Sequence, residues 1–215
     1  MIRVINKLSF LFLKSLFLIK YSVSCSFRCK SQRVLNQFEL LSKTFCTNLS
    51  NELLKIVINI EDKRYYLHYG HDSPSILRAS IHNILGGEIH GASTIEQQLI
   101  RIITNDRVKT YGRKFNELLL STVFYRKYSK EEIIIVYLTN YYFSEDKIGI
   151  ESFCNKENYK FHNLTKADII EIVARLKYPN INTSNYVNYL KRVRTIEKII
   201  SNSALNFNRV KTTEK

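Results

Sequence analysis

Sparse punctuation is the feature that most constrains this chain. Across 215 residues there are six glycines and two prolines, too few for the closely spaced turns of an all-β fold, for long linkers or for low-complexity tracts. Between them, apolar residues recur at helical spacing behind residues that start helices. Ser50 precedes Leu53, Leu54, Val57 and Ile60, and Ser73 with Pro74 precedes one stripe of Ile76, Leu77, Ile81, Ile84 and Leu85 before Gly86 and Gly87. Ser93 with Glu96, and Ser129 with Glu132, have the spacing of capping boxes ahead of apolar runs. Residues 113–125 carry a broad apolar side, Thr165 and Asp168 open a helix that ends near Pro179, and residues 186–201 form a basic outer helix before a frayed tail at 206–215. Strand signals are few and no internal repeat is seen. The expected fold is mainly α, one domain with a sizeable core.

Charge narrows the partners. Thirty-three Lys and Arg against nineteen Asp and Glu give a formal charge of +14, which favours nucleic acid, an acidic lipid surface or a phosphorylated substrate. No nucleic-acid-binding module is recognisable, so nucleic acid is not expected as a partner. Near the N-terminus, residues 8–19 are apolar apart from Ser9, Lys14 and Ser15, and basic residues flank them on both sides. About 20 apolar residues are needed to span a bilayer, and a lysine near the centre of a span costs roughly 2.5–3.5 kcal/mol. The run therefore suits a basic amphipathic helix lying on a membrane as well as it suits a span, and a terminal helix of the core is the third reading. A cleaved signal peptide would need a small-residue cleavage site, which is not evident. Cys25, Cys29, Cys46 and Cys154 lack histidines at ligand spacing and are expected to be plain thiols.

Chemically capable side chains are densest in residues 59–101. This stretch opens on the acid pair Glu61 and Asp62, passes His68 and His71, and closes on Ser93 and Thr94 followed by Gln97, Gln98 and Arg101. Taken singly, each has an ordinary structural role: a solvated helix end, a cap, or, for Arg113 with Glu117 one turn apart, an ion pair worth a few tenths of a kcal/mol. Their order carries more. Glu61-Asp62-x-x-Tyr65-x-x-His68-x-Gly70 resembles the first signature of the peptidoglycan glycosyltransferases of glycosyltransferase family 51, with Tyr65 where that family usually has Phe. Gly91-Ala92-Ser93-Thr94-Ile95-x-Gln97-Gln98-Leu99-x-Arg101 resembles the second signature. Arg113-Lys114-x-x-Glu117 resembles the third, and Ser129-Lys130-x-Glu132-Ile133 with Tyr137-Leu138-x-Asn140 the fourth. The resemblance covers residues 53–180 and thins in a fifth region, where Glu151 and Ser152 stand in place of the usual alanines; Ile102 stands where Asn is common.

The resemblance implies a lysozyme-like helical catalytic lobe with a small membrane-proximal lobe. It also implies an N-terminal membrane-associated segment at 1–49, a transglycosylase domain at 50–180, and a basic helix and tail at 181–215. Without a transpeptidase segment after the signatures, the monofunctional biosynthetic type is implied. The implied reaction joins lipid II to a growing lipid-linked glycan with inversion and release of undecaprenyl pyrophosphate, on the outer face of the cytoplasmic membrane. The implied partners are these substrates, membrane lipids and other proteins of cell-wall synthesis. An attacking hydroxyl needs a positioned base, a role the resemblance gives to Glu61, with Asp62 orienting the turn. A departing pyrophosphate needs cations, for which Arg101, Arg113, Lys114 and Lys177 are the candidates. Ser93, Thr94, Gln97 and Gln98 are expected to bind sugar or phosphate. Glu117 is expected either to hold a loosely bound Mg²⁺ or Mn²⁺ on the pyrophosphate or to orient Arg113. Two other classes fit less of the sequence: a catalytically weakened paralogue that binds lipid II or a cell-wall partner, and a lysozyme-like hydrolase, which has no use for a cationic clamp.

Overall fold

A computed structural model describes residues 1–43, 49–85, 91–106, 108, 110–144 and 147–212, with side chains as far as Ser201. In chain order the elements are α1 (Ile2–Val23), α2 (Cys25–Ser42), α3 (Asn51–Glu61), a 3₁₀ turn (Tyr65–Leu67), α4 (Ser73–Ile84), α5 (Ile95–Thr104), α6 (Tyr111–Lys127) and α7 (Lys130–Asn140). They continue with β1 (Tyr142–Ser144), β2 (Lys147–Ile148), α8 (Ile150–Lys156), α9 (Lys166–Arg175) and α10 (Tyr186–Thr212). The fold is mainly α, as expected. Its one described sheet is the antiparallel pair β1–β2, whose short strands carried no clear sequence signal. The chain divides into two compact units, Met1–Thr47 with Glu61–Asn140 and Asn48–Ile60 with Tyr141–Lys215.

In the first unit α5 is the central helix, packed by α2, α6 and α7. Its Leu99 and Ile100, with Phe38, Leu119, Phe124, Ile133 and Tyr137 from the surrounding helices, are at most 1% exposed. Phe38 and Phe124 meet edge to face with ring centroids 5.1 Å apart, a geometry that adds to the area they bury. Helix α1 lies against α2, α4 and α6, and its Leu13 packs with Phe27 and Leu119. Among the described residues no helix is long and apolar enough to cross a membrane.

The helix starts show where local reading succeeds. Ser50 accepts from Leu53 N; Ser129 and Glu132 form the reciprocal box, and so do Thr165 and Asp168. Two starts differ. At α5 the N-cap is Thr94, one residue later than expected, because Ser93 and Glu96 have long-range partners instead. At α4 the cap is Asp72, without a side-chain cap bond, and Ser73 is already helical. Its N–H is satisfied at 3.0 Å by Oδ1 of Asn6, a fully buried residue of α1 that also donates to Leu67 O at 3.3 Å. Ser73 Oγ donates to Ser9 Oγ. The start of α4 is thus capped from 67 residues away, where no sequence window looks.

The apolar stripe of α4 turns outward. Leu77 is 63% exposed, Ile84 83% and Leu85 80%, and on α1 Leu8 and Phe12 are 63% and 64% exposed. Gly86, Gly87 and His90 lie outside the described residues, as does Cys46. Cys25 and Cys29 are exposed thiols and Cys154 a buried one, pushed up to about 12 by burial.

The second unit gathers Leu53 and Val57 of α3, Phe143 of β1, Phe153 of α8, Ile169, Ile172 and Val173 of α9, and Ile196 of α10, all with 0% exposure. Phe143 and Phe153 stack at 5.2 Å. Arg175 is tied to Glu171 at 2.6 Å, and the Tyr189 hydroxyl donates to the same carboxylate. Helix α10 continues to Thr212, past the point where the sequence suggested fraying.

Candidate active site

The first and second signatures meet at the N-terminus of α5. Asp62, 7% exposed, accepts at Oδ2 from Ile95 N at 3.1 Å, which fixes the turn after α3 against the first turn of α5. Thr94 Oγ1 donates to Gly70 O at 2.8 Å and accepts from Gln97 N. This hydroxyl is 1% exposed and committed to structure. Gly70 itself is required: its φ is +87°, and a Cβ there would lie 2.1 Å from the Ser121 carbonyl oxygen on α6.

Glu61, half-buried at the end of α3, accepts from Gln98 Nε2 at 3.4 Å, and the Tyr137 hydroxyl donates to Gln98 Oε1 at 2.9 Å. Beside it on α5, Gln97 Oε1 accepts from Lys114 Nζ at 3.1 Å, and Ser93 Oγ accepts from the same ammonium at 2.7 Å. Lys114 leads to Glu117, 3% exposed at its side chain, which collects three cations. Arg101 grips it with Nε and Nη2 at 3.0 and 3.1 Å, Arg113 Nη1 donates to Oε1, and Lys114 lies at 3.5 Å. Burial, then the neighbouring Arg101, lowers the Lys114 pKa from its ordinary value, while Glu117 opposes both. Three cations on one carboxylate leave two positive charges uncompensated. Nine of the ten residues expected at the site thus fall into two hydrogen-bonded groups, Glu61 with Gln98, and Ser93, Gln97, Arg101, Arg113 and Lys114 around Glu117, with Thr94 as structural support. Lys177 belongs to the second unit, just beyond α9.

A second polar cluster was not foreseen. His68 Nε2 lies 3.1 and 3.0 Å from the two Asp62 carboxylate oxygens, and its Nδ1 lies 3.5 Å from Lys130 Nζ. An ammonium only donates, so Nδ1 is the acceptor and Nε2 carries the proton. His68 then has no free lone pair for base catalysis. Lys130 also donates to Glu96, a residue with 0% exposure. Burial raises the Asp62 pKa, with His68 pulling the other way. Tyr65, unusual for its hydroxyl, uses that group to donate to Lys130 O at 2.7 Å, and its ring lies 4.1 Å from Lys130 Nζ. The substitution at this signature position and the lysine are partners.

His71 makes a prediction of its own. It is 1% exposed, with Nε2 at 2.9 Å from Ser9 Oγ, and burial, then His68, lowers its pKa from 6.5 to about 4. The folded state holds it neutral where the unfolded chain takes up a proton. Its contribution is full above pH 6.5 and falls away toward pH 4, at up to about 1.4 kcal/mol per pH unit. Thermal unfolding followed from pH 7 to 4.5 is expected to show a steeper loss of Tm in wild type than in His71→Gln; parallel curves contradict it.

Comparison with known proteins places this geometry. The sequence pattern of the Transglycosylase family matches residues 32–203. A monofunctional glycosyltransferase of Staphylococcus epidermidis is 27% identical over 163 residues, covering 71% of this chain and 61% of the relative. One of Staphylococcus aureus is 28% identical over 160 residues, covering 69% and 60%. Penicillin-binding protein 1F of Bacillus subtilis is 40% identical over 116 residues, 50% of this chain and 16% of that protein. The chain thus spans about three-fifths of the length of the monofunctional relatives. The match takes in all four signatures that build the two polar clusters, and with it the chain belongs to the transglycosylase family.

Proposed function

We propose that this chain is a peptidoglycan glycosyltransferase that polymerises lipid II into glycan strands, with inversion and release of undecaprenyl pyrophosphate. The observation that carries this reading is one half-buried carboxylate, Glu61, held by Gln98, whose neighbour along α5, Gln97, accepts from a cluster of three cations with surplus positive charge. Glu61 takes the proton of the attacking 4-hydroxyl as its oxygen bonds to the anomeric carbon. The bond from that carbon to the pyrophosphate oxygen breaks, and Arg101, Arg113 and Lys114 face the charge that develops there. Gln97, Gln98 and Ser93 orient sugar or phosphate, and Lys177 is a further candidate cation for the pyrophosphate. A lysozyme-like hydrolase would leave the cationic cluster without a task.

Glu117 is assigned to holding this cluster. A divalent ion on the pyrophosphate would seek oxygen donors, but both Glu117 oxygens already accept from Arg101, Arg113 or Lys114. The residues present do not fit a protein-held ion in this arrangement.

The lipid tail of such a substrate requires membrane contact. The outward apolar residues of α1 and α4, among them Leu8, Phe12, Leu77 and Leu85, with Arg3, Lys7, Lys14 and Arg78 on the same two helices, suit a surface lying on anionic lipid. We place the chain on the outer face of the cytoplasmic membrane. Purified protein mixed with anionic vesicles carrying labelled lipid II tests both parts: it is expected to float with the vesicles and to build polymer. Leu77→Glu with Leu85→Glu is expected to weaken flotation. Protein left in the supernatant contradicts the location, and folded, vesicle-bound protein that leaves lipid II unchanged contradicts the activity.

A further inference from the structure

We propose that Asn6 of α1 is a positioning residue for the site, acting through the segment 67–73 that it clamps. The family match begins at residue 32, so α1 lies outside it. The inward residues of α1 recur at helical spacing as Asn6, Ser9, Phe10, Leu13 and Phe17, while Leu8 and Phe12 face outward. An asparagine buried in such a stripe costs free energy unless its amide is bonded. Here both halves are. Oδ1 accepts from Ser73 N at 3.0 Å and Nδ2 donates to Leu67 O at 3.3 Å, so one side chain holds both ends of the segment. The next turn of α1 grips its middle. Ser9 Oγ accepts from Ser73 Oγ at 2.6 Å and lies 2.9 Å from His71 Nε2, and the Phe10 and Tyr69 ring centroids are 5.5 Å apart.

From its other side the clamped segment reaches the site through two residues. His68 holds the Asp62 carboxylate at 3.0 and 3.1 Å, and Asp62 accepts from Ile95 N. The Gly70 carbonyl accepts from Thr94 Oγ1, the N-cap of α5. The segment thus fixes both the turn that carries Glu61 and the helix that carries Gln98, the donor to Glu61. A reacting group misplaced by about 1 Å loses about 100-fold in rate. The cationic cluster is held on Glu117, apart from these bonds, so loosening the clamp acts on kcat and leaves KM little changed. That consequence rests on the glycosyl-transfer reading. It also makes α1 part of the catalytic unit, and not an anchor that could be exchanged for another.

Asn6→Ala in the whole chain removes both amide bonds. Turnover of lipid II, assayed below the melting transition and scaled to the folded fraction, is expected to fall by about 10- to 100-fold at nearly unchanged KM. Leu13→Ala is the comparison, because Leu13 lies on the same face of α1 but packs on Phe27 and Leu119. It is expected to lower Tm and to keep kcat within about two-fold of wild type. Hydrogen exchange reads the clamp without substrate. The Ile95 amide, which donates to Asp62, is expected to exchange about 10-fold faster in Asn6→Ala than in Leu13→Ala.

Equal losses of kcat in the two variants, or a kcat for Asn6→Ala within about two-fold of wild type, overturn the positioning role. Ile95 exchange no faster than in Leu13→Ala overturns the clamp. Should Asn6→Ala fail to fold, Asn6→Asp, which keeps an acceptor for Ser73 N and loses the donor to Leu67 O, is held to the same two limits. Wild type that makes no glycan removes the glycosyl-transfer reading, whereas the exchange measurement uses no substrate and decides the clamp separately.

Discussion

Glu61→Gln is expected to bind lipid II nearly as wild type does and to form glycan about 10² to 10⁴ times more slowly, the usual worth of a general base. The substitution keeps size and hydrogen-bonding capacity at the end of α3, and Gln98 can still engage it. What it removes is the negative charge that, in the proposed reaction, accepts the proton of the attacking hydroxyl. The loss therefore belongs to the chemical step. Turnover of lipid II and equilibrium binding, measured on the same folded preparation, check it. Near-normal turnover in a variant with native circular dichroism moves the base to another carboxylate.

Gly70→Ala is expected to cost the fold about 3 kcal/mol, from a left-handed backbone that an L side chain resists by about 1–2 kcal/mol and from overpacking against α6. The added methyl would meet the Ser121 carbonyl, a backbone atom that cannot rotate away. Relief requires parting the loop from α6, which also loosens Thr94 from the Gly70 carbonyl. For a chain of this size the change corresponds to a fall in Tm of roughly 10 °C. A shift under about 2 °C by calorimetry contradicts the tight approach.

Much of this organisation was legible in the sequence because its causes are local. Helical spacing with few glycines gave the mainly α fold, and the boxes at Ser129 and Thr165 formed because both partners lie within one turn. The ordered signatures brought Glu61 to Gln98, and Ser93, Gln97, Arg101, Arg113 and Lys114 into one cluster around Glu117. Misplacements arose where a distant group outcompeted the local one. Glu96 has capping spacing from Ser93, yet a buried carboxylate gains more from the Lys130 ammonium than from an exposed backbone amide. Ser73 looked like a cap and was overtaken by Asn6 of α1. The stripe of α4 read as a core face because periodicity reports which residues share a side of a helix, not what that side meets; here it meets solvent. The Tyr65 hydroxyl was a visible departure from the family pattern, but its partner, the Lys130 carbonyl, is 65 residues away.

In the proposed reaction one carboxylate and a cationic cluster divide the labour, and a single paired measurement tests this most directly. Lipid II binding and polymerisation are measured side by side for wild type, Glu61→Gln and Arg113→Ala, with release of undecaprenyl pyrophosphate followed in the same reactions. Wild type is expected to lengthen glycan and release one pyrophosphate lipid per linkage, Glu61→Gln to bind but scarcely turn over, and Arg113→Ala to bind less well and turn over slowly. Identical losses of binding and turnover in both variants, or shortening of preformed glycan by wild type, would contradict it.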